Sequence, residues 1–366
     1  MLTVATFTDT YLPTVNGVSY TVHTWRARWR RRGGSMPVVY PDADGHRPAA
    51  GEHSVSSLPF PFYQGVRFAP PTVPRSLRDT QPDVVHAHTP FALGLAGKRF
   101  AAAADVPLVA SYHTPTSEYA DYLSDALAGA IGQVADRYER WFYGRADAVV
   151  VPSETAAEAV ETGSTPVHVV SNGVDTERFR PVGGTETAAF RDRYSLPDGP
   201  LVGYTGRHGT EKRLGDVLDA TADLNVSVVI AGDGPARPAL ERRATDRDDV
   251  SFLGFLDREA LPAFYTTLDA FLFPSPVETQ GLVALEAIAC GTPVVAAAAG
   301  ALSETVTDGE TGTHFPPGDT EAFRAAIGRT LSAGDRLPTR LAERREKLSV
   351  DRSIDALESV YDAVIG

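Results

Sequence analysis

Short apolar runs alternate along the chain with longer segments of helical period. In the first half the runs "LTVATF", "MPVVY", "DVVHAH", "PLVASYH", "DAVVVPS" and "VHVVSN" are nearly continuous in valine and alanine. Such runs predict strands buried on both faces rather than a sheet with one wet side. The segments between them, "GVSYTVHTWRARWRRR", "LGLAGKRFAAAAD", "ALAGAIGQVADRYERWFYGR" and "SETAAEAVETG", predict helices. Strand and helix in regular alternation predict an α/β fold with a doubly wound parallel sheet.

The alternation restarts after "NGVDTERFRPVGGTET". The runs "LVGYTG", "VSVVIAG", "VSFLGF", "AFLFPS", "TPVVAA" and "THFPP" predict a second parallel sheet, with helices such as "RLGDVLDATADL" and "PARPALERRATDR" between them. Pro181, Gly183 and Gly184 mark the expected linker. Two Rossmann-like domains, 1–178 and 179–351, would face each other across a cleft, the default place for a ligand. In the closing segment "DRSIDALESVYDAVIG", Ile354, Leu357, Val360, Tyr361 and Val364 fall on one helix face. No clean repeat of 20 to 50 residues, as a solenoid requires, occurs.

Composition agrees with two globular domains. The 366 residues exceed one ordinary core and fit two of about 150 to 200 residues. A hydrophobic share of 43 % argues against extensive disorder. Forty-seven acids leave a formal charge of −13, and Lys98, Lys212 and Lys347 are the only lysines among 34 basic residues. This acidic, arginine-rich and alanine-rich profile resembles the proteome style of a halophilic, high-GC organism, where salt screens self-repulsion. It also argues against general nucleic-acid binding, which needs a basic stripe. The single Cys290 excludes an intramolecular disulfide and an all-cysteine zinc site. No basic-flanked apolar leader and no run of about 20 apolar residues is present, so a cytoplasmic location is expected, with peripheral membrane contact left open.

Candidate chemistry concentrates at the predicted strand ends. In "SPVETQGLVALEAIACGTPVVA" the only charges are Glu278 and Glu286. Thr279, Gln280, Gly281 and Leu282 would stand at a helix N-terminus beyond a strand, where backbone amides favour a phosphate. Glu286 would lie among Leu282, Leu285 and Ile288, where a carboxylate needs donors. A sugar or ribose diol supplies two, and a nearby backbone group or arginine is the equal alternative. In "YTGRHGTEKRLGD", Arg207 and Lys212 stand five apart on a glycine-containing loop, able to serve one anion such as a pyrophosphate or to be ordinary solvated charges. Neither a Walker A loop nor a G-x-G-x-x-G fingerprint is present.

His113 ends a strand, and a structural role competes with a functional one. His86 and His88 in "HAHTP" share a strand face, without the matched ligands a metal site needs. Asn16, before Gly17, either caps a helix or donates to a phosphate. The acidic "DAD" and "DRD" stretches read as surface. In "TWRARWRRR", Trp25 and Trp29 continue a stripe from Val18 and Val22 and face the core, with the five arginines solvated. The rival reading is an anionic-membrane patch.

Several of these stretches match one family together. "DTYLPTVNGVS", "HAHTP", "YHT", "SNGVDTERF", "GRHGTEKRL", "AGDGP" and "PSPVETQGLVALEAIACGTPVVA", the last containing E(x7)E, occur in the order found in the retaining GT-B glycosyltransferases of family 4, which the chain resembles over nearly its whole length. The resemblance implies that Arg207 and Lys212 hold the diphosphate of a nucleotide-sugar donor. It further implies that Glu286 accepts from the ribose, that Glu278 contacts the transferred sugar, and that the Gln280, Gly281, Leu282 and Val283 turn receives sugar or phosphate. His113 matches a histidine near the reacting carbon, and Asn16 and Gly17 match a phosphate-facing loop. No cofactor and no catalytic metal are implied. The domain 1–178 would take the acceptor and be completed by a crossover helix, 352–366, while 179–351 would bind the nucleotide sugar. The first loop and "YHTPTSEYADYL" are most similar to a branch with α-mannosyltransferases and glycolipid-forming glucosyl and sulfoquinovosyl transferases, except that Pro115 and Thr116 stand where an acidic or aromatic pair is frequent. A UDP-glucose or GDP-mannose type donor and a lipid or lipid-linked glycan acceptor follow. A GT-B sugar-nucleotide epimerase and a non-catalytic nucleotide-sugar-binding protein are the alternatives.

Overall fold

The computed structural model describes residues 1–59, 67–113, 128–334 and 336–366. Pro115 and Thr116 lie outside them. The chain divides into two compact units, Met1–Asn172 with Val350–Gly366, and Gly173–Ser349.

Among the described residues, the first unit holds a parallel sheet ordered β3-β2-β1-β6-β7-β8-β9. Its strands are β1 (Val4–Phe7), β2 (Val38–Pro41), β3 (Glu52–Val55), β6 (Val84–Ala87), β7 (Leu108–Ser111), β8 (Ala148–Val151) and β9 (Val167–Val169). All four residues of β1, β2, β6, β7 and β8 are buried, which is why their sequences run unbroken in valine and alanine instead of alternating. The edge strand β3, "EHSV", buries only Val55 and carries no periodicity to announce it. The antiparallel pair β4 (Leu58–Pro59) and β5 (Arg67–Phe68) was equally invisible as pattern, being two residues per strand.

The closing helix, Val350–Ile365, belongs to this unit and buries Val350, Ile354, Leu357, Val360 and Tyr361 against Trp25, Trp29, Val4, Val84, Val109 and Val150. Each such side chain contributes roughly 1.5–3 kcal/mol before the cost of ordering it. The helix Gly17–Arg31 supplies both tryptophans, which are core residues as their spacing predicts. Its arginines correct the expectation of a solvated face. Arg26 and Arg28 are buried, Arg26 in an ion pair at 3.3 Å with Glu52, whose side chain is 5 % exposed, and Arg28 near Asp351 at 3.6 Å. Arg32 pairs with Asp351 and Asp355. Arg26, Arg28 and Arg32 thus bind the helix to its neighbours.

The second unit holds, among the described residues, a parallel sheet ordered β12-β11-β10-β13-β14-β15. Its strands are β10 (Leu201–Thr205), β11 (Ser227–Ala231), β12 (Val250–Gly254), β13 (Ala270–Phe273), β14 (Val294–Ala297) and β15 (Gly312–Phe315). One continuous core spans both faces, from Phe179 and Phe190 through Phe264 and Tyr265 to Phe323 and Ile327. Gly183 and Gly184 open the helix Gly184–Arg193, whose first turn is closed by Glu186 accepting from the Gly183 amide.

Candidate active site

In each sheet the strand order reverses beside the first strand, between β10 and β13 in one unit and between β1 and β6 in the other. Open α/β sheets bind ligands outside the carboxyl ends of strands at such a switch point, where adjacent loops diverge to opposite faces.

In the second unit the loop after β10 carries Arg207 and Lys212. It is anchored to the loop after β11: the His208 amide donates to Asp233 O at 2.8 Å, and the Ala236 amide donates to His208 O at 2.9 Å. The buried His208 ring adds a bond from Nε2 to Ala231 O at 3.1 Å. The side chain of His208, unremarked in the sequence, thus fastens the backbone that presents Arg207. Arg207 pairs with Glu211, four residues on along the same loop. The chain then makes a short 3₁₀ turn, Thr210–Lys212, before the helix Leu214–Thr221.

Lys212 Nζ donates to Glu278 Oε1 at 2.6 Å, across 66 residues of sequence. The two side chains are 18 % and 14 % exposed, so the pair sits between a surface and a buried ion pair. Glu278 comes from the loop after β13, which is braced by the Ala301 amide on Glu278 O at 3.1 Å and by Thr305 Oγ1 on Gln280 O at 2.7 Å. The loop enters the helix Leu282–Ala289 through Gly281, whose φ is +79°. A Cβ there would lie 2.8 Å from Leu302 and 3.0 Å from Phe273, so both backbone conformation and space require glycine. Leu282 and Val283 form the first turn beyond it, where amides have no intrahelical acceptor. Structure therefore gathers Lys212, Glu278, Gln280, Gly281, Leu282 and Val283 at one switch point, with Arg207 on the adjoining loop.

Glu286 sits one step deeper, 6 % exposed. Its carboxylate accepts from Tyr265 Oη at 2.9 Å and faces Arg258 Nη2 at 3.5 Å. Burial pushes its carboxyl above the usual range, while Arg258 and the Tyr265 hydroxyl pull it back. The arginine alternative weighed from sequence is thus present, and a carboxylate with four acceptor directions can take it together with a diol. Arg258 and Tyr265 carried no local signal, because their meaning lies in a contact made across the fold.

In the first unit, Asn16 caps the helix Gly17–Arg31, its Oδ1 accepting from the Ser19 amide at 2.8 Å and its Nδ2 donating to Thr10 Oγ1 at 2.7 Å. Gly17 follows as the first helical residue. Asp9, overlooked in the sequence, spans from the end of β1 to the helix Ala92–Ala104: it accepts from Thr89 Oγ1 at 2.6 Å and from the Leu93 amide at 2.9 Å. That helix start, lacking a side-chain cap of its own, is occupied by a carboxylate. His113, just past β7, meets His88, just past β6, with 3.0 Å between its Nε2 and His88 Nδ1. Burial holds His113 down to about 4 and His86 to about 3, so both rings are neutral near pH 7. Among the described residues no group of three or more His, Cys, Asp or Glu could hold a metal ion, and no helix is long and apolar enough to cross a membrane.

Comparison with known proteins decides the family. The family model "Glycosyltransferase Family 4" matches residues 15–178, and "Glycosyl transferases group 1" matches 187–348. A GDP-mannose-dependent alpha-mannosyltransferase of Mycolicibacterium smegmatis is 32 % identical over 378 residues, covering 99 % of this chain and 98 % of the relative. The chain belongs to glycosyltransferase family 4. The glycosyltransferase is also similar to a sulfoquinovosyl transferase of Arabidopsis thaliana, 33 % identical over 72 % of this chain and 53 % of the plant protein. An alpha-monoglucosyldiacylglycerol synthase of Streptococcus pneumoniae is 28 % identical over 98 % of this chain and 85 % of its own length. Its fold is GT-B: a sucrose-phosphate synthase from Thermosynechococcus elongatus superposes with a TM-score of 0.80 at 20 % identity, covering 99 % of this chain and 98 % of that one. An Anabaena protein solved with UDP and glucose superposes at 0.79, also with 20 % identity, covering 99 % and 100 %.

Proposed function

We propose that this glycosyltransferase moves a hexose, with retention of anomeric configuration, from a UDP-glucose or GDP-mannose type donor to a lipid or lipid-linked glycan at the cytoplasmic membrane face. The observation that carries this is the Lys212–Glu278 pair at the β10/β13 switch point. A cation and an anion already in contact there suit a donor with a diphosphate for the ammonium and sugar hydroxyls for the carboxylate.

In this reading Arg207 and Lys212 bind the diphosphate and stabilise charge as the anomeric C–O bond breaks, the electrostatic contribution that dominates such departures. Glu278 orients the sugar, the amides of Leu282 and Val283 with Gln280 and Gly281 receive sugar or phosphate, and Glu286 accepts from the ribose. The acceptor hydroxyl attacks the anomeric carbon on the face the diphosphate leaves, and its proton passes to the departing phosphate. The family resemblance gives His113 the role of the histidine near the reacting carbon, and Asn16 and Gly17 that of the phosphate-facing loop. The first unit takes the acceptor and the second the nucleotide sugar. Kinship with a GDP-mannose-dependent alpha-mannosyltransferase supports the donor type, and kinship with an alpha-monoglucosyldiacylglycerol synthase supports the lipid-related acceptor.

The test is incubation of UDP-glucose and GDP-mannose with a lipid extract at high salt, with and without EDTA. An α-linked glycolipid and free nucleotide, insensitive to EDTA, are expected. Epimerised nucleotide sugar with no free nucleotide, or binding without turnover, would overturn the proposal.

A further inference from the structure

We propose that His88 is a positioning residue for glycosyl transfer, holding the His113 ring in one orientation and one tautomer. The proposal rests on the placement of His113 at the sugar, and it is drawn from a column of three imidazoles in the first unit.

The column begins at His86, whose two nitrogens are both engaged, Nδ1 with Tyr361 Oη at 2.7 Å and Nε2 with Ser111 Oγ at 2.7 Å. A ring bonded at both nitrogens cannot turn over without breaking a buried hydrogen bond. His88 lies against its face, centroids 4.1 Å apart and planes 24° apart. His88 then meets His113 edge to edge: the planes differ by 11°, the centroids are 5.3 Å apart, and Nδ1 to Nε2 is 3.0 Å. That centroid separation is the nitrogen contact plus two ring radii, so the rings lie side by side along an N–H···N line. Trp25 flanks all three, at 6.2, 5.7 and 6.5 Å between centroids, and His86 and His88 are buried.

In an imidazole pair one ring donates and the other accepts. The contact with His88 therefore couples the two tautomers: His113 carries its proton on Nε2 where it donates to His88 and on Nδ1 where it accepts, the detail that separates a donor from an acceptor toward a substrate. A purely structural pair of side chains is met more cheaply by apolar residues, since burying three imidazoles costs free energy unless their nitrogens are satisfied. The order of support runs from the closing helix, through Tyr361, to His86, His88 and His113.

The experiment uses the full chain labelled with ¹⁵N-histidine, His113 resonances being assigned with a His113→Ala variant. The wild type is expected to show one His113 tautomer, and His88→Phe both in exchange. In turnover of UDP-glucose or GDP-mannose, His88→Phe lowers kcat about three- to tenfold, the rate equivalent of one hydrogen bond, with donor KM unchanged. His88→Asn, which keeps a polar group near the Nδ1 position, restores the single tautomer and most of kcat. Mixed tautomers in the wild type, or an unchanged tautomer or kcat in His88→Phe, overturn the proposal. The wild-type spectrum decides should His88→Phe not fold. Because the spectra need no substrate, absence of wild-type turnover with both donors counts against the donor assignment and leaves the tautomer result standing.

Discussion

Removing Lys212 alone and together with Glu278 separates a structural ion pair from a donor-binding one. A surface pair is worth about 0–1 kcal/mol and breaking a buried pair costs about 3–5. With side chains 18 % and 14 % exposed, Lys212→Met should cost about 2 kcal/mol, because Glu278 keeps its charge and loses its ammonium. For a unit of this size that lowers the thermal midpoint by about 4–8 °C. The double variant Lys212→Met/Glu278→Gln removes both charges, so its midpoint should return to within a few degrees of wild type. Activity should behave oppositely. Loss of a cation that stabilises the leaving diphosphate costs about 10²–10³ in kcat, and removing Glu278 as well gives none of it back. Thermal unfolding by intrinsic fluorescence and nucleotide release with UDP-glucose or GDP-mannose, at one ionic strength, read the two quantities. A double variant that regains turnover along with stability would refute the donor role of Lys212.

Two further outcomes follow from the same geometry. Gly281→Ala should cost about 2–4 kcal/mol, from the left-handed φ and from contact with Leu302 and Phe273. Gly309→Ala, with φ of +72° and open space around it, should cost only the conformational part, about 1–2 kcal/mol. Equal losses in thermal midpoint for the two would show that the Gly281 turn is not tightly packed. The second outcome concerns acid. His86 and His113 stay neutral in the folded chain down to about pH 3 and 4, whereas an unfolded histidine protonates near 6.5. Between these values the unfolded chain binds more protons, so stability falls as pH drops from about 6.5, by about 2 kcal/mol per histidine at pH 5, and the loss levels off below the folded values. Urea midpoints between pH 7 and 5 should fall less steeply for His86→Gln than for wild type; parallel lines would contradict the shift.

Hydrophobic patterning alone announced both parallel sheets, because strands buried on two faces must be apolar at every position. It also placed Trp25 and Trp29 in the core and the closing helix on an apolar face, as helical spacing requires. Glycine, lysine and paired glutamates after predicted strands pointed to two loops, and the fold brings Lys212 and Glu278 from those loops into contact. Pattern could not reveal β3, whose edge position spares it an apolar code, or the burial of Arg26 and Arg28, whose carboxylate partners lie far along the chain. Nor could it join Lys212 to Glu278, give Glu286 its Arg258 and Tyr265, set Asp9 on the amide of Leu93, 84 residues away, or bring His113 to His88. Those pairings depend on which strand ends become neighbours, and strand order is a property of the folded sheet rather than of any local stretch. The chain carries the chemical groups in its sequence; the tertiary fold chooses their partners, and with them their charge states and orientation.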